Sequence, residues 1–294
     1  MSYDLFLTPR LPLDPGEVRA WLARRPHTRV AGTQAVYENA DTGVYFTHDL
    51  GDDGSVSFNL NFYRPSVFVQ EAAPEVAALL EALDFDIEDP QTEGMGEGPF
   101  TVEGLVRGWT HGNRFAHRVM VGSRGQRPPT LAAARHEALW RWNLSREAYG
   151  DLLASIEMLP VYVPRVFLVV EVDGDGNPAH QVHTAVIWGE AMPMAVPEVD
   201  LVLAMDEPGD PPRVIRRADL AEVLAPWAYR AAGYRFELDG REHDVALPHW
   251  LLAHDEPPPR DVAAAHRSGV VRQVQILRTD QVLDHERYEE AISG

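Results

Sequence analysis

The chain has 294 residues, 45% of them hydrophobic, enough to bury about three quarters of the open chain's surface in one large domain or two ordinary ones. It contains no cysteine, which excludes disulfides, thiolate catalysis, iron–sulfur clusters and cysteine-bound zinc. Its 26 basic residues, all arginine, face 45 acidic ones; the net charge of −19 repels nucleic acid and anionic membrane surfaces, and the lack of lysine excludes Schiff-base and P-loop lysine chemistry.

In chain order, residues 3–7 read as a short apolar strand. Asp14-Pro15 reads as a cap and first-turn proline opening a helix, with Val18, Trp21 and Leu22 on one face. Residues 34–38, 43–47 and 55–62 read as antiparallel strands separated by Asn39-Ala-Asp41-Thr-Gly43 and Gly51-Asp-Asp-Gly54. A second helix is expected to open at Ala73-Pro74, with Val76, Leu79, Leu80 and Leu83 on one face. The glycine-rich stretch 89–99 lacks the strand and the lysine of a phosphate loop and reads as a linker. Residues 101–109 read as a helix, and 130–142 and 145–159 as two more with Thr and Ser caps.

The second half returns to strands, at 165–172 and 181–188 around the turn Asp173-Gly-Asp-Gly-Asn177, then at 199–205. A helix at 218–227 precedes the hairpin 234–238/241–246, whose Asp239-Gly240 is a strong turn signal. Pro257-Pro-Pro259 marks a stiff turn, 270–277 a late strand and 280–292 a closing helix. Strands in hairpins rather than alternating with helices predict an α+β fold of antiparallel sheets with packed helices. The Gly/Arg/Pro stretch 123–129 predicts two subdomains, 1–125 and 130–294, unless the chain is one continuous domain. The chain has no run of about 18 apolar residues and no signal-peptide layout at its start, so no membrane span and a cytoplasmic location are expected.

Catalytic motifs are scarce. Asp173-x-Asp175-x-Asn177 begins like a calcium loop but has Pro178 where glycine is needed and Thr184 where glutamate is needed. The twelve histidines include no pair with zinc-binding helical spacing, and His180 and His183 fall on opposite faces of a strand. No metal and no cofactor are expected. No Gly-x-Ser-x-Gly elbow occurs, and Ser55, Ser57 and Ser66 have no readable base partner. Trp140 and Trp142 fit core packing with arginines alongside.

Charge is uneven. Residues 107–146 carry eight Arg and one acid, whereas 81–97 carry seven acids and no base. The two stretches either pair with each other or form solvated faces; alternatively Asp84, Asp86, Glu88 and Asp89 form a docking surface for a basic protein. A second candidate surface lies on the alternating stretch 58–68, where Phe58, Leu60 and Phe62 point one way and Asn59, Asn61 and Tyr63 the other. Arg64 follows; it either pairs with Asp41 or a neighbour on a solvated face or joins Asn59, Asn61 and Tyr63 in recognition.

The segments Tyr3-Asp-Leu-Phe-Leu7, Tyr37-Glu-Asn-x-Asp-Thr-Gly-Val-Tyr-Phe46 and Phe58-Asn-Leu-Asn-Phe-Tyr-Arg-Pro-Ser-Val-Phe68 resemble a family of uncharacterised bacterial cytosolic proteins. Weaker similarity lies at Tyr162-Val-Pro-Arg165 and Pro197-Glu-Val-Asp200. The resemblance brings no residue roles; the scattered occurrence of such proteins resembles that of immunity proteins to bacterial toxins. It implies a non-catalytic acidic binding protein that occludes a basic toxin domain. The alternative is a hydrolase or transferase working through carboxylates or histidines.

Overall fold

The computed structural model describes all residues except 92, 97–98, 124–126, 157–160, 176, 190–192, 206–210, 225–227, 232, 253–259 and 294. The chain forms two compact units, Met1–His136 with Thr279–Gly294, and Glu137–Arg278. The architecture is α+β, as the hairpin pattern implies. Pro257-Pro-Pro259 lies outside the described residues. No described helix is long and apolar enough to cross a membrane.

The first unit begins with β1 (Ser2–Pro9), α1 (Pro15–Ala23), β2 (Thr28–Ala31), β3 (Gln34–Glu38), β4 (Tyr45–Leu50) and β5 (Val56–Asn61). Then come α2 (Val67–Ala82), β6 (Phe85–Glu88), α3 (Val102–Ser123) and β7 (Thr130–Leu131). Helix α4 (Ala133–Ser155) starts in this unit and continues into the second. The strands form one antiparallel sheet in the order β2-β3-β4-β5-β1-β6. Tyr3 pairs with Leu60, Leu5 with Phe58 and Leu7 with Val56, which puts all six on one buried face. Helices α1, α2 and α3 pack on that side. Burying a side chain such as Phe58 or Leu60 is worth about 1.5–3 kcal/mol.

The cap at Asp14 forms as its sequence requires, with a carboxylate oxygen accepting the Gly16 N–H at 2.8 Å and Pro15 in the first turn. Helix α2 does not open at Ala73-Pro74; it starts at Val67, nearly two turns earlier, and Pro74 lies inside it. The apolar residues Val67, Phe68 and Val69, all buried, outweigh the N–H that Pro74 cannot donate. Helix α3 runs well beyond the expected end at 109. The two helices expected between 130 and 159 are one, because Ser145 does not cap: its hydroxyl donates to the Arg141 carbonyl one turn back, at 2.7 Å, within a continuous helix.

The C-terminal segment completes the first unit. It supplies a 3-10 turn (Thr279–Gln281) and, numbered last in chain order, β19 (Leu283–Asp284) and α7 (His285–Ser293) in place of one closing helix. Strand β19 pairs in parallel with β7, and α7 packs on α3. The Thr279 hydroxyl donates to the Thr42 carbonyl at 2.6 Å. At Gly43, φ is +74°, and an added Cβ would meet Thr279 Oγ1 at 2.6 Å. Gly43→Ala is therefore expected to destabilise this unit by about 2 kcal/mol, read as a lower urea midpoint with wild-type secondary structure retained.

The second unit contains β8 (Phe167–Glu171), β9 (His183–Gly189), β10 (Ala195–Pro197), β11 (Leu201–Met205) and β12 (Arg213–Arg216). It continues with α5 (Arg217–Leu224), β13 (Ala228–Ala231), β14 (Tyr234–Leu238), β15 (Arg241–Val245) and β16 (His249–Leu252). Helix α6 (Arg260–Arg267), β17 (Val270–Val271) and β18 (Val274–Leu277) end it. Asp239 and Gly240 take φ of +52° and +72°, the left-handed pair a tight hairpin needs between β14 and β15. The expected turn after β8 is held by Asp173, whose Oδ1 accepts the N–H groups of Asp175 and Asn177.

The main sheet runs β17-β12-β11-β9-β8-β18, antiparallel except for the β9–β11 pair. The expected single strand 270–277 is broken at Arg272-Gln273, and the break has a topological reason. Its halves lie at opposite ends of the sheet order. Six flat strands would separate their ends by roughly 24 Å, yet three Cα steps reach at most about 11 Å. The sheet must therefore curl until its ends approach. The concave side holds Val169, Ala185, Leu201, Leu203 and Val214, with Phe167 and Val274 against them.

Candidate docking face and buried histidine centres

Helices cover one face of the first sheet, and the strand alternation leaves the other to solvent. The pairs Asp4–Asn59, Asn59–Thr47 and Thr47–Val36 share that open face, as do Ser2–Asn61, Phe6–Glu88, Thr8–Asp86 and Ser57–Asp49. The two stretches that stood out separately in the sequence thus meet on one surface: Asn59 and Asn61 on β5, Asp86 and Glu88 on β6, with Asp4 and Phe6 of β1 between them. Phe6 is 42% exposed at the centre of this face. Glu38 and Asp49 extend the acidic character across β3 and β4. Arg29 is the basic residue on the strands of this face, and Arg10 partly neutralises Asp86.

Four of the expected docking residues have other work. Asp84 lies at the end of the sheet and pairs with Arg10 at 3.3 Å. Asp89 turns inward: its carboxylate accepts the Tyr3 hydroxyl and the Met95 and Gln91 N–H groups, and so ties down the glycine-rich stretch. Burial and this carboxylate push the Tyr3 hydroxyl's pKa up. Tyr63 takes φ of +61°, donates its N–H to Asn113 Oδ1 at 2.6 Å, and lays its ring 4.9 Å from that of His117. Arg64 donates to the Tyr45 hydroxyl at 2.9 Å and reaches Asp280 at 3.9 Å. These contacts link Arg64 to the C-terminal segment, and the arginine is a clamp within the unit. Arginines of the basic stretch pair outside the acidic one: Arg114 and Arg127 meet Glu290 and Glu289, and Arg141 meets Glu137 and Asp244.

The aromatic and polar residues of 37–46 are structural as well. Glu71, buried on α2, accepts through one oxygen from Tyr37, Asn39 and Thr42, at 2.8, 2.8 and 3.0 Å. Tyr37 stacks on Phe46 at 4.4 Å.

Local sequence gave no sign of the buried histidine centres. His136 Nδ1 lies 2.9 Å from Asp284 Oδ1, and Asp284 Oδ2 accepts the Ser66 N–H at 2.8 Å. Burial opposes ionisation of Asp284, but the hydrogen bonds from His136 and Ser66 outweigh it and hold the carboxyl below its ordinary pKa. His136 Nε2 is buried and meets no partner among the described residues. His117 donates Nδ1–H to the Asn113 carbonyl at 2.8 Å, and burial lowers its pKa. In the second unit, His249 donates Nδ1–H to the Leu247 carbonyl and its Nε2 accepts the Tyr149 hydroxyl at 2.8 Å, an assignment that makes the ring neutral. Burial lowers this ring's pKa, with Arg217 adding to the effect. Among the described residues no group of three or more His, Asp or Glu is placed to hold a metal ion.

The fold and these sites define an α+β protein of two units, with an acidic open sheet face on one and a curled sheet in the other. No family model matches the chain, and neither a curated protein nor a solved structure matches it.

Proposed function

We propose that the chain is a cytoplasmic, non-catalytic binding protein that docks a basic protein on the open face of its first sheet and neutralises it by occlusion. The observation that carries this reading is the one-sided sheet, whose uncovered face sets exposed Phe6 among Asp4, Asp49, Asp86 and Glu88. A buried aromatic anchor inside a charged rim is how tight interfaces concentrate their energy. A field of this sign speeds encounter with a cationic surface. The class of partner is a basic bacterial toxin domain, which follows from the resemblance carried by residues 3–7, 37–46 and 58–68.

The test is retrieval from native host lysate at low and high salt, followed by kinetics with the retained partner. Wild type is expected to hold one stoichiometric basic partner that high salt releases. Joint replacement Asp49→Arg, Asp86→Arg and Glu88→Arg is expected to slow association at least about tenfold, and Phe6→Ala to speed dissociation. A partner held equally well by both variants, or no partner at all, overturns the reading.

The enzyme alternative rests on the His136–Asp284 pair, whose imidazole–carboxylate geometry is that of a general base and its orienting group. The histidine side chain is fully enclosed, which favours a structural role.

A further inference from the structure

The curled sheet of the second unit opens into a cavity of about 260 Å³. Strand register explains why charged side chains surround it. Arg216 shares the concave face with Leu201, because the two residues pair across β11 and β12. Glu171 lies two residues along β8 from Val169 and shares its face with Val274, its partner on β18. Arg272 lies two residues beyond Val270, which pairs with Val214. The concave face therefore passes from an apolar interior to a rim of Arg216, Arg272 and Glu171, joined by Asp219 of α5 and Ser268.

The charges divide into two kinds. Arg272 and Glu171 pair with each other at 3.2 Å. Arg216 and Asp219 are both exposed at the cavity and have no ion pair or hydrogen bond among the described residues. An exposed cation and an exposed anion, neither with a partner among the described residues, thus line one small cavity above the apolar floor of Leu201 and Val214. We propose that this cavity binds a free amino acid, its carboxylate on Arg216 and its ammonium on Asp219, with its side chain against the apolar floor. The volume lies just under the roughly 300–1,000 Å³ of drug-sized pockets, which limits the ligand to about this size. The planar guanidinium suits a carboxylate in bidentate geometry. The mouth of a curled sheet is a recurrent place for such sites. This proposal is independent of the docking face.

The test is thermal denaturation of the full chain with glycine, leucine, arginine, glutamate or 4-aminobutyrate, each at about 10 mM, where a millimolar ligand raises the melting temperature measurably. At least one of them is expected to stabilise the protein. The same compound with its amine acetylated, or its carboxylate amidated, is expected to give no shift. Arg216→Gln and Asp219→Asn, both at exposed positions, are expected to keep the fold by circular dichroism and each to weaken binding at least about tenfold. Absence of a shift with every compound overturns the proposal. A shift that persists with either blocked form, or in either variant, also overturns it.

Discussion

Asp284→Ala is expected to destabilise the first unit by about 3–5 kcal/mol, the cost of leaving two buried hydrogen-bonding groups without their carboxylate partner, at roughly 1–3 kcal/mol each. The carboxylate joins three elements at once. It holds His136 at the start of α4, accepts the backbone N–H of Ser66 just before α2, and belongs to β19, which pairs with β7. Its removal leaves the Ser66 N–H and the His136 Nδ1 without their partner inside the protein. Asp284→Asn keeps an acceptor for Ser66 and is expected to cost less than half as much. The readout is hydrogen exchange by unit: protection should fall in residues 57–60 of the first sheet and stay at the wild-type level in residues 201–204 of the second. Equal loss in both would mean that the units unfold together. Loss of a measurable activity in Asp284→Asn, with protection unchanged, would favour the enzyme reading.

The C-terminal segment gives many residues of segments 37–46 and 58–68 structural work. Thr42, Gly43, Tyr45, Arg64 and Ser66 all belong to or flank segments 37–46 and 58–68, and each meets a residue between Thr279 and Asp284. Asp14-Pro15 and Asp239-Gly240 were legible because their partners lie within a few residues. The alternation of 58–62 was legible because a strand with one buried face must alternate. The Tyr45–Asp280 bond spans 235 residues and the His136–Asp284 bond 148, and no local pattern encodes such pairings. The same limit hid the open acidic face, since local sequence shows β6 only as part of an acidic run, and its register beside β1 is what places Asp86 and Glu88 near Phe6. The curl of the second sheet was hidden in a two-residue break that composition does not mark.

The second large effect is acid sensitivity centred on His48. This residue points to the core side of β4, with its ring 5.6 Å from both Phe46 and Phe58 and neither nitrogen bonded among the described residues. Burial lowers its pKa from 6.5 to about 4, against a small opposing pull from Asp49. Between these values the unfolded chain binds a proton that the folded chain refuses, so stability falls as pH falls through this window. At 1.36 kcal/mol per unit, the loss on going from pH 6.5 to 4 is about 3 kcal/mol. His117 and His249 are lowered by burial as well and act in the same direction, His117 in this unit and His249 in the other. His48→Phe isolates the contribution, because it fills the aromatic site without bringing a polar atom into it. The variant is expected to match or exceed wild-type stability at pH 7.5, since a buried group without a partner is removed. It is also expected to lose about 3 kcal/mol less than wild type on acidification to pH 4. Urea midpoints of the first unit at pH 7.5, 5.5 and 4 measure both effects. Parallel midpoint curves for the two proteins would place the acid-sensitive proton on another group, and a variant less stable than wild type at pH 7.5 would mean that the imidazole has a hydrogen-bonding partner in solution.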